Sequence, residues 1–177
     1  MNRWKRLSIT GFLALLLAWS GLRTASAAVA WSRAPEAAQR TGLLQPARTR
    51  VRATTPELAR IARAKRAIVF VYAPTCSACN GNMANWIDLV ADLHGGQVQL
   101  FAVAPAGTPA AREYWGPLSR HVHVITATPA EVRGALNAEV TPATILVENG
   151  VIRGVATGAL TRPAIRQVHA FAARPAE

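Results

Sequence analysis

The chain has 177 residues, 51% of them hydrophobic and 16% charged, which is enough apolar material to bury one domain core and excludes wholesale disorder. The formal net charge of +11 is unevenly placed: residues 1–27 hold four basic residues and no acid, residues 28–66 hold nine against two, and residues 67–177 hold seven of each sign. A basic leader and arm ahead of an electroneutral body argue against a nucleic-acid-binding face, and two cysteines alone, Cys76 and Cys79, exclude a disulfide-stapled scaffold or a four-cysteine zinc site.

Met1–Arg6 is a short basic stretch, Ile9–Leu22 is mostly apolar, and Ala25-Ser26-Ala27 is a small-x-small pattern. That three-part layout predicts a secretory signal over residues 1–27, removed near Ala27 or kept as a membrane tether. The apolar run of 14 residues is shorter than the roughly 20 that a bilayer span requires. Either form places the remainder outside the cytoplasm, in a periplasmic or other extracytoplasmic space where disulfides persist. Residues 28–53, rich in Ala, Arg and Pro without a sustained period, read as a linker. The folded domain is expected over 54–177.

Thr55-Pro56-Glu57 supplies an N-cap, a proline at the first helical position and an early acid, so a helix starts there and runs toward Lys65-Arg66. Ala67–Tyr72 is a continuous apolar run, the mark of a strand buried on both faces. Pro74 ends it, and a helix follows from about Ser77 to Leu93, with Cys79, Met83, Trp86/Ile87, Val90 and Leu93 as its apolar stripe. Val98–Val103 reads as a second buried strand. Thr108-Pro109 opens a helix that Gly116-Pro117 break, His121–Thr126 alternates as a strand, and Thr128-Pro129-Ala-Glu131 starts a short helix. Ala143–Glu148 and Val151–Ala156 are strands joined by Asn149-Gly150, a strong two-residue hairpin signal, and a helix from Thr161 closes the chain. The sum is an α/β domain with a central mixed sheet flanked by helices on both faces.

The chemistry lies in Cys76-Ser77-Ala78-Cys79, placed where a buried strand hands over to a helix. A thiolate on Cys76 meets the unpaired N–H groups and positive dipole end of that helix, which lower its pKa from the ordinary value of about 8.5. Cys79, one turn on, points into the apolar stripe and is shielded. One exposed nucleophile and one resolving partner are the requirement for exchange through a mixed disulfide. Other readings stand beside it. The pair could be half of a metal site completed by His94, His121, His123 or His169, or a structural disulfide closing a tiny loop. Haem attachment fails because Asn80, not histidine, follows Cys79. Trp86 and Trp115 read as core packing, while Asn80, Asn82 and Asn85 read as the solvent side of the helix.

Val71-Tyr-Ala-Pro-Thr-Cys-Ser-Ala-Cys79 resembles the active site of the thioredoxin superfamily, with the Tyr-Ala-Pro lead-in of protein disulfide isomerases. Val140-Thr-Pro-Ala-Thr-Ile-Leu-Val-Glu-Asn-Gly-Val-Ile-Arg-Gly-Val-Ala-Thr-Gly-Ala-Leu160 resembles the second half of thioredoxin. The resemblance implies a thioredoxin-like fold over about Thr55–Arg174. It also implies a cis Thr141–Pro142 bond beside the cysteines and a substrate-docking turn there, with Pro74 and Thr75 flanking the nucleophile. Sixty-five residues separate Cys76 from Pro142, and the surplus reads as an extra helix and strand over Thr108–Thr126. That insertion, with the leader, resembles the exported TlpA/ResA branch, usually membrane-tethered dithiol reductants or cytochrome c maturation factors. The chain departs from the pattern at Phe70, where thioredoxins bury an acid, at Asn82, where the branch often has a glutamate, and at Thr75, usually tryptophan.

The resemblance therefore implies an exported thiol:disulfide oxidoreductase with Cys76 and Cys79 catalytic, no organic cofactor and no metal. Its partners would be protein thiols and disulfides and a membrane-bound redox donor or acceptor, with the chain a monomer. Oxidant, reductant and isomerase share these residues, so the direction of electron flow stays open. The rival is a copper chaperone holding Cu(I) by two thiolates and a histidine. Such proteins usually space the cysteines by three residues, and here there are two.

Overall fold

In the computed structural model, which describes residues 44–107, 109–138 and 141–174, the strands are β1 (Gln45–Arg50), β2 (Arg66–Val71), β3 (Gln99–Pro105), β4 (His123–Ala127), β5 (Ala143–Glu148) and β6 (Val151–Thr157). The helices are α1 (Pro56–Arg63), α2 (Ser77–Leu93), α3 (Pro129–Leu136) and α4 (Arg162–Ala173), and two 3-10 segments, Pro109–Ala111 and Glu113–Arg120, lie between β3 and β4. The strands form one sheet in the order β1-β6-β5-β2-β3-β4. Strand β2 lies inside it, parallel to β3 and antiparallel to β5, and all six of its residues are buried, which is why its sequence is apolar without alternation.

Two cores form because β2 sends successive side chains to opposite faces. Ile68, Phe70 and Tyr72 join α2, α4 and the second 3-10 segment through Trp86, Phe171 and Trp115. Ala67, Val69 and Val71 join α1 and α3 through Leu58, Ile61 and Leu136. Arg66, the one buried cation among the described residues, donates at the end of α4 to the Phe171 and Ala172 carbonyls at 3.1 Å each, to the Arg174 carbonyl, and to Gln97 Oε1 at 3.1 Å, while its Nε has no partner there. A positive charge at a helix C-terminus complements its dipole.

Four expectations are corrected. Residues 45–50, read as linker, form the edge strand β1, antiparallel to β6, so the folded body begins before residue 54. Within this stretch only Ala47 reaches a core, flanked by Leu44 before it and the buried Val51 after it; the strand is held by its backbone ladder, and its exposed arginines hid it. The segment before β4 is wound as 3-10 pieces rather than as a helix opened by Thr108-Pro109, while the break expected at Gly116-Pro117 is present, with Gly116 at φ 49°. The buried side of α2 is Cys79, Asn82, Trp86, Leu89 and Val90, while Ile87 is 42% exposed. His121 precedes β4 instead of sharing a strand face with His123. The hairpin turn is as expected, with Asn149 at φ 50° and Gly150 at φ 72°. The expected leader (1–27) and residues 28–43 of the expected linker lie outside the described residues.

Candidate active site

Strand β2 delivers the cysteines. It ends at Val71, Tyr72 continues its ladder by donating N–H to the Val103 carbonyl at 3.0 Å, and the chain then turns so that the Cys76 N–H meets the Ala73 carbonyl at 2.9 Å. Cys76 is the N-cap of α2, and its Sγ accepts from the Cys79 N–H at 3.2 Å. The first turn of α2 holds no acid, so nothing there opposes a thiolate.

Across the sulfur lies the Thr141–Pro142 turn, whose peptide bond is cis. The Cys76 thiol reaches the Thr141 carbonyl at 3.8 Å. Partial burial alone would raise the Cys76 pKa. Hydrogen bonds from the Cys79 thiol, the Thr141 side chain and the Cys79 and Ala78 backbone outweigh it, and the thiol sits below its ordinary value. Cys79 is the opposite case: fully buried, it is pushed up to about 11, first by burial and then by its bond to Cys76. Both cysteines are in the dithiol form.

Of the residues singled out in the sequence, Cys76, Cys79 and Thr141 come together; Pro74, half-buried, and Thr75, exposed, precede Cys76 on the same turn. A largely apolar cleft of about 440 Å³ opens beside Thr141, lined by Tyr72, Ala73, Pro105 and Val132, with Arg133 as its one charge among the described residues. Phe70 occupies its position by packing between Trp86 and Trp115, ring centroids 5.5 and 5.4 Å away. Both tryptophans are buried, as expected of core residues.

Three features escaped the sequence reading. Asn82, placed on the solvent side, is fully buried, and the i, i+3 spacing from Cys79 was the signal that could have found it. Trp86 Nε1 donates to the buried Thr144 Oγ at 3.0 Å, tying α2 to β5. Tyr114 stacks on Tyr72 at 4.9 Å and donates its hydroxyl to Asn80 Oδ1 at 3.0 Å, bringing the second 3-10 segment against the first turn of α2. Its pKa is pushed up to about 12 by burial, then by the two sulfurs nearby. As for metal, His94 and His121 sit ring to ring at 4.3 Å, and His123 lies beside Phe101. Among the described residues, no three His, Cys, Asp or Glu side chains gather to hold an ion.

No family model matches the chain, and no curated protein matches it. Solved structures do. A thiol:disulfide interchange protein of the thioredoxin family from Chlorobium tepidum superposes with a TM-score of 0.54 at 15% identity, over 72% of this chain and 97% of that one. A secreted Mycobacterium tuberculosis disulfide oxidoreductase gives 0.51 at 17% identity, over 66% and 87%. StoA from Bacillus subtilis gives 0.50 at 12% identity, over 72% and 97%. The chain has the thioredoxin fold.

Proposed function

We propose that the protein is an exported thiol:disulfide oxidoreductase in which Cys76 attacks and Cys79 resolves. One observation carries this reading: a sulfur that caps a helix and accepts its N–H, paired one turn on with a buried, protonated sulfur. Those are the two unequal thiols that exchange requires. The thiolate of Cys76 attacks one sulfur of a partner disulfide. The partner's S–S bond breaks, its second sulfur leaves as thiolate, and a mixed disulfide forms. Cys79 then loses its proton and attacks Cys76 Sγ, releasing the partner's first sulfur. The partner gains two electrons and two protons, and the Cys76–Cys79 pair is left oxidised.

The cis Thr141–Pro142 turn lies across from Cys76 and suits an extended partner segment, with Pro74 and Thr75 on the other flank. We read the chain as a reductant or cytochrome c maturation-type factor, recharged by a membrane-bound dithiol donor, with residues 1–27 directing export. Cys76→Ser should abolish insulin reduction, and Cys79→Ser should accumulate mixed disulfides. Full activity in Cys76→Ser would refute the mechanism. The equilibrium potential against glutathione tests the direction: a value near about −270 mV fits a reductant, and one near about −120 mV a disulfide donor.

A further inference from the structure

The face of α2 that carries Cys79 is not wholly apolar. Asn82, one turn on, is fully buried, and its Oδ1 accepts from the Leu160 N–H and from Asn85 Nδ2, both at 2.9 Å. Asn85 Nδ2 also donates to the Leu160 carbonyl at 3.2 Å. Two asparagines thus engage both backbone groups of one residue in the loop between β6 and α4. Asn82 Nδ2 itself has no partner among the described residues. A buried amide that leaves a donor unpaired is a poor choice for packing alone, since an apolar side chain would avoid the desolvation cost.

The bonds continue past Leu160. Two residues earlier, the Gly158 N–H donates to the Pro142 carbonyl at 2.8 Å. Pro142 follows Thr141, whose carbonyl faces Cys76 Sγ at 3.8 Å. A closed ring therefore runs from Cys76 along α2 to Asn82, across to Leu160, back through Gly158 to Pro142 and Thr141, and home to the sulfur. We propose that Asn82 and Asn85 are positioning residues that clamp α2 to the Leu160 loop and so hold the Thr141–Pro142 turn in register with Cys76. This rests on the reading of Cys76 as the nucleophile. In that contact the protonated thiol donates to a carbonyl, so it marks where the turn sits and does not itself stabilise the thiolate. The Thr141 side chain is among the groups that keep the Cys76 thiol below its ordinary value, so loosening the clamp withdraws that hydrogen bond and raises the pKa.

The test is the pH profile of iodoacetamide capture of Cys76 in the purified reduced protein. Asn82→Ala and Asn85→Ala are compared with Ile61→Val, a core change in α1 on the opposite face of the sheet. Both asparagine variants should need a higher pH for half-maximal capture, by half a unit or more, which is about a threefold loss of thiolate at pH values well below the midpoint. Ile61→Val should leave the profile in place. Asn85 is only half-buried, so its variant keeps the test decisive if Asn82→Ala does not fold. Unshifted profiles in the asparagine variants, or an equal shift in Ile61→Val, overturn the clamp. Capture needs no exchange partner, so the two readings fail separately. A shifted profile in a protein without exchange activity faults the function and supports the clamp; active exchange with unshifted profiles faults the clamp alone.

Discussion

Alkylation of the reduced protein at pH 7 should modify Cys76 and leave Cys79 almost untouched, and the size of the difference follows from the two environments. Cys79, pushed up to about 11 by burial and by its bond to Cys76, has only about one thiolate in ten thousand at that pH. A thiol left at 9.0, the value from which Cys76 is lowered, has about 1%. Cys76 lies below that value and so exceeds that fraction. Ionisation alone therefore favours Cys76 by at least about 100-fold. The rarer thiolate is the stronger nucleophile, however, and a Brønsted slope of about 0.45 over about 2 units returns roughly eightfold to Cys79. A preference of about tenfold remains before steric shielding, and Cys79 has no exposed surface to offer the reagent. Quenched-flow alkylation with iodoacetamide, read residue by residue by mass spectrometry, measures the ratio. Comparable rates at the two sulfurs would refute the division of labour on which the exchange mechanism depends.

Two further outcomes test the fold beneath the site. Reduced protein should lose thermal stability as pH rises from about 8.5, because Cys79 at about 11 and Tyr72 at about 12 keep protons in the folded state that the unfolded chain has begun to release. Stability is fully present below the unfolded values and is lost through the folded ones, so a Tm that stays flat between pH 8.5 and pH 11 would count against both burials. Gly150→Ala should destabilise the domain by about 1–2 kcal/mol or more in urea titration: Gly150 sits at φ 72°, and an added Cβ would meet the Ala62 carbonyl oxygen at 2.8 Å. A loss under half a kcal/mol would show that the turn relaxes freely.

What was legible in the sequence was whatever one face or one turn decides locally. Strand β2 declared itself because a strand buried on both sides must be apolar at every position, and the hairpin did so because Asn149 and Gly150 tolerate positive φ. The cysteine motif was readable for the same reason: strand, turn and helix are contiguous in the chain. Strand β1 was not, since its partner β6 lies a hundred residues away and its own side chains are mostly exposed, leaving no apolar alternation to see. The 3-10 segments are a different case. The break at Gly116-Pro117 was legible, and Gly116 takes φ 49° there, but the 3-10 winding on either side of it left no mark in the sequence.

Asn82 shows where local reading runs out at the site itself. Amide chemistry pointed to solvent and helical spacing pointed to the core, and the outcome was decided by Leu160, a residue 78 positions away whose backbone N–H needs an acceptor. The same long-range logic explains Phe70. Trp86 and Trp115 close around it as an aromatic wall, within the same core cluster as Cys79. Burial in that cluster raises the pKa of the thiol. Cys76, by contrast, draws its stabilisation from the Cys79 thiol, from the side chain of Thr141, and from backbone N–H groups; the sequence places Thr141 65 residues downstream and the fold returns it to the sulfur. The asymmetry between the two thiols is thus made by topology: the helix start serves one sulfur, and the aromatic core seals the other.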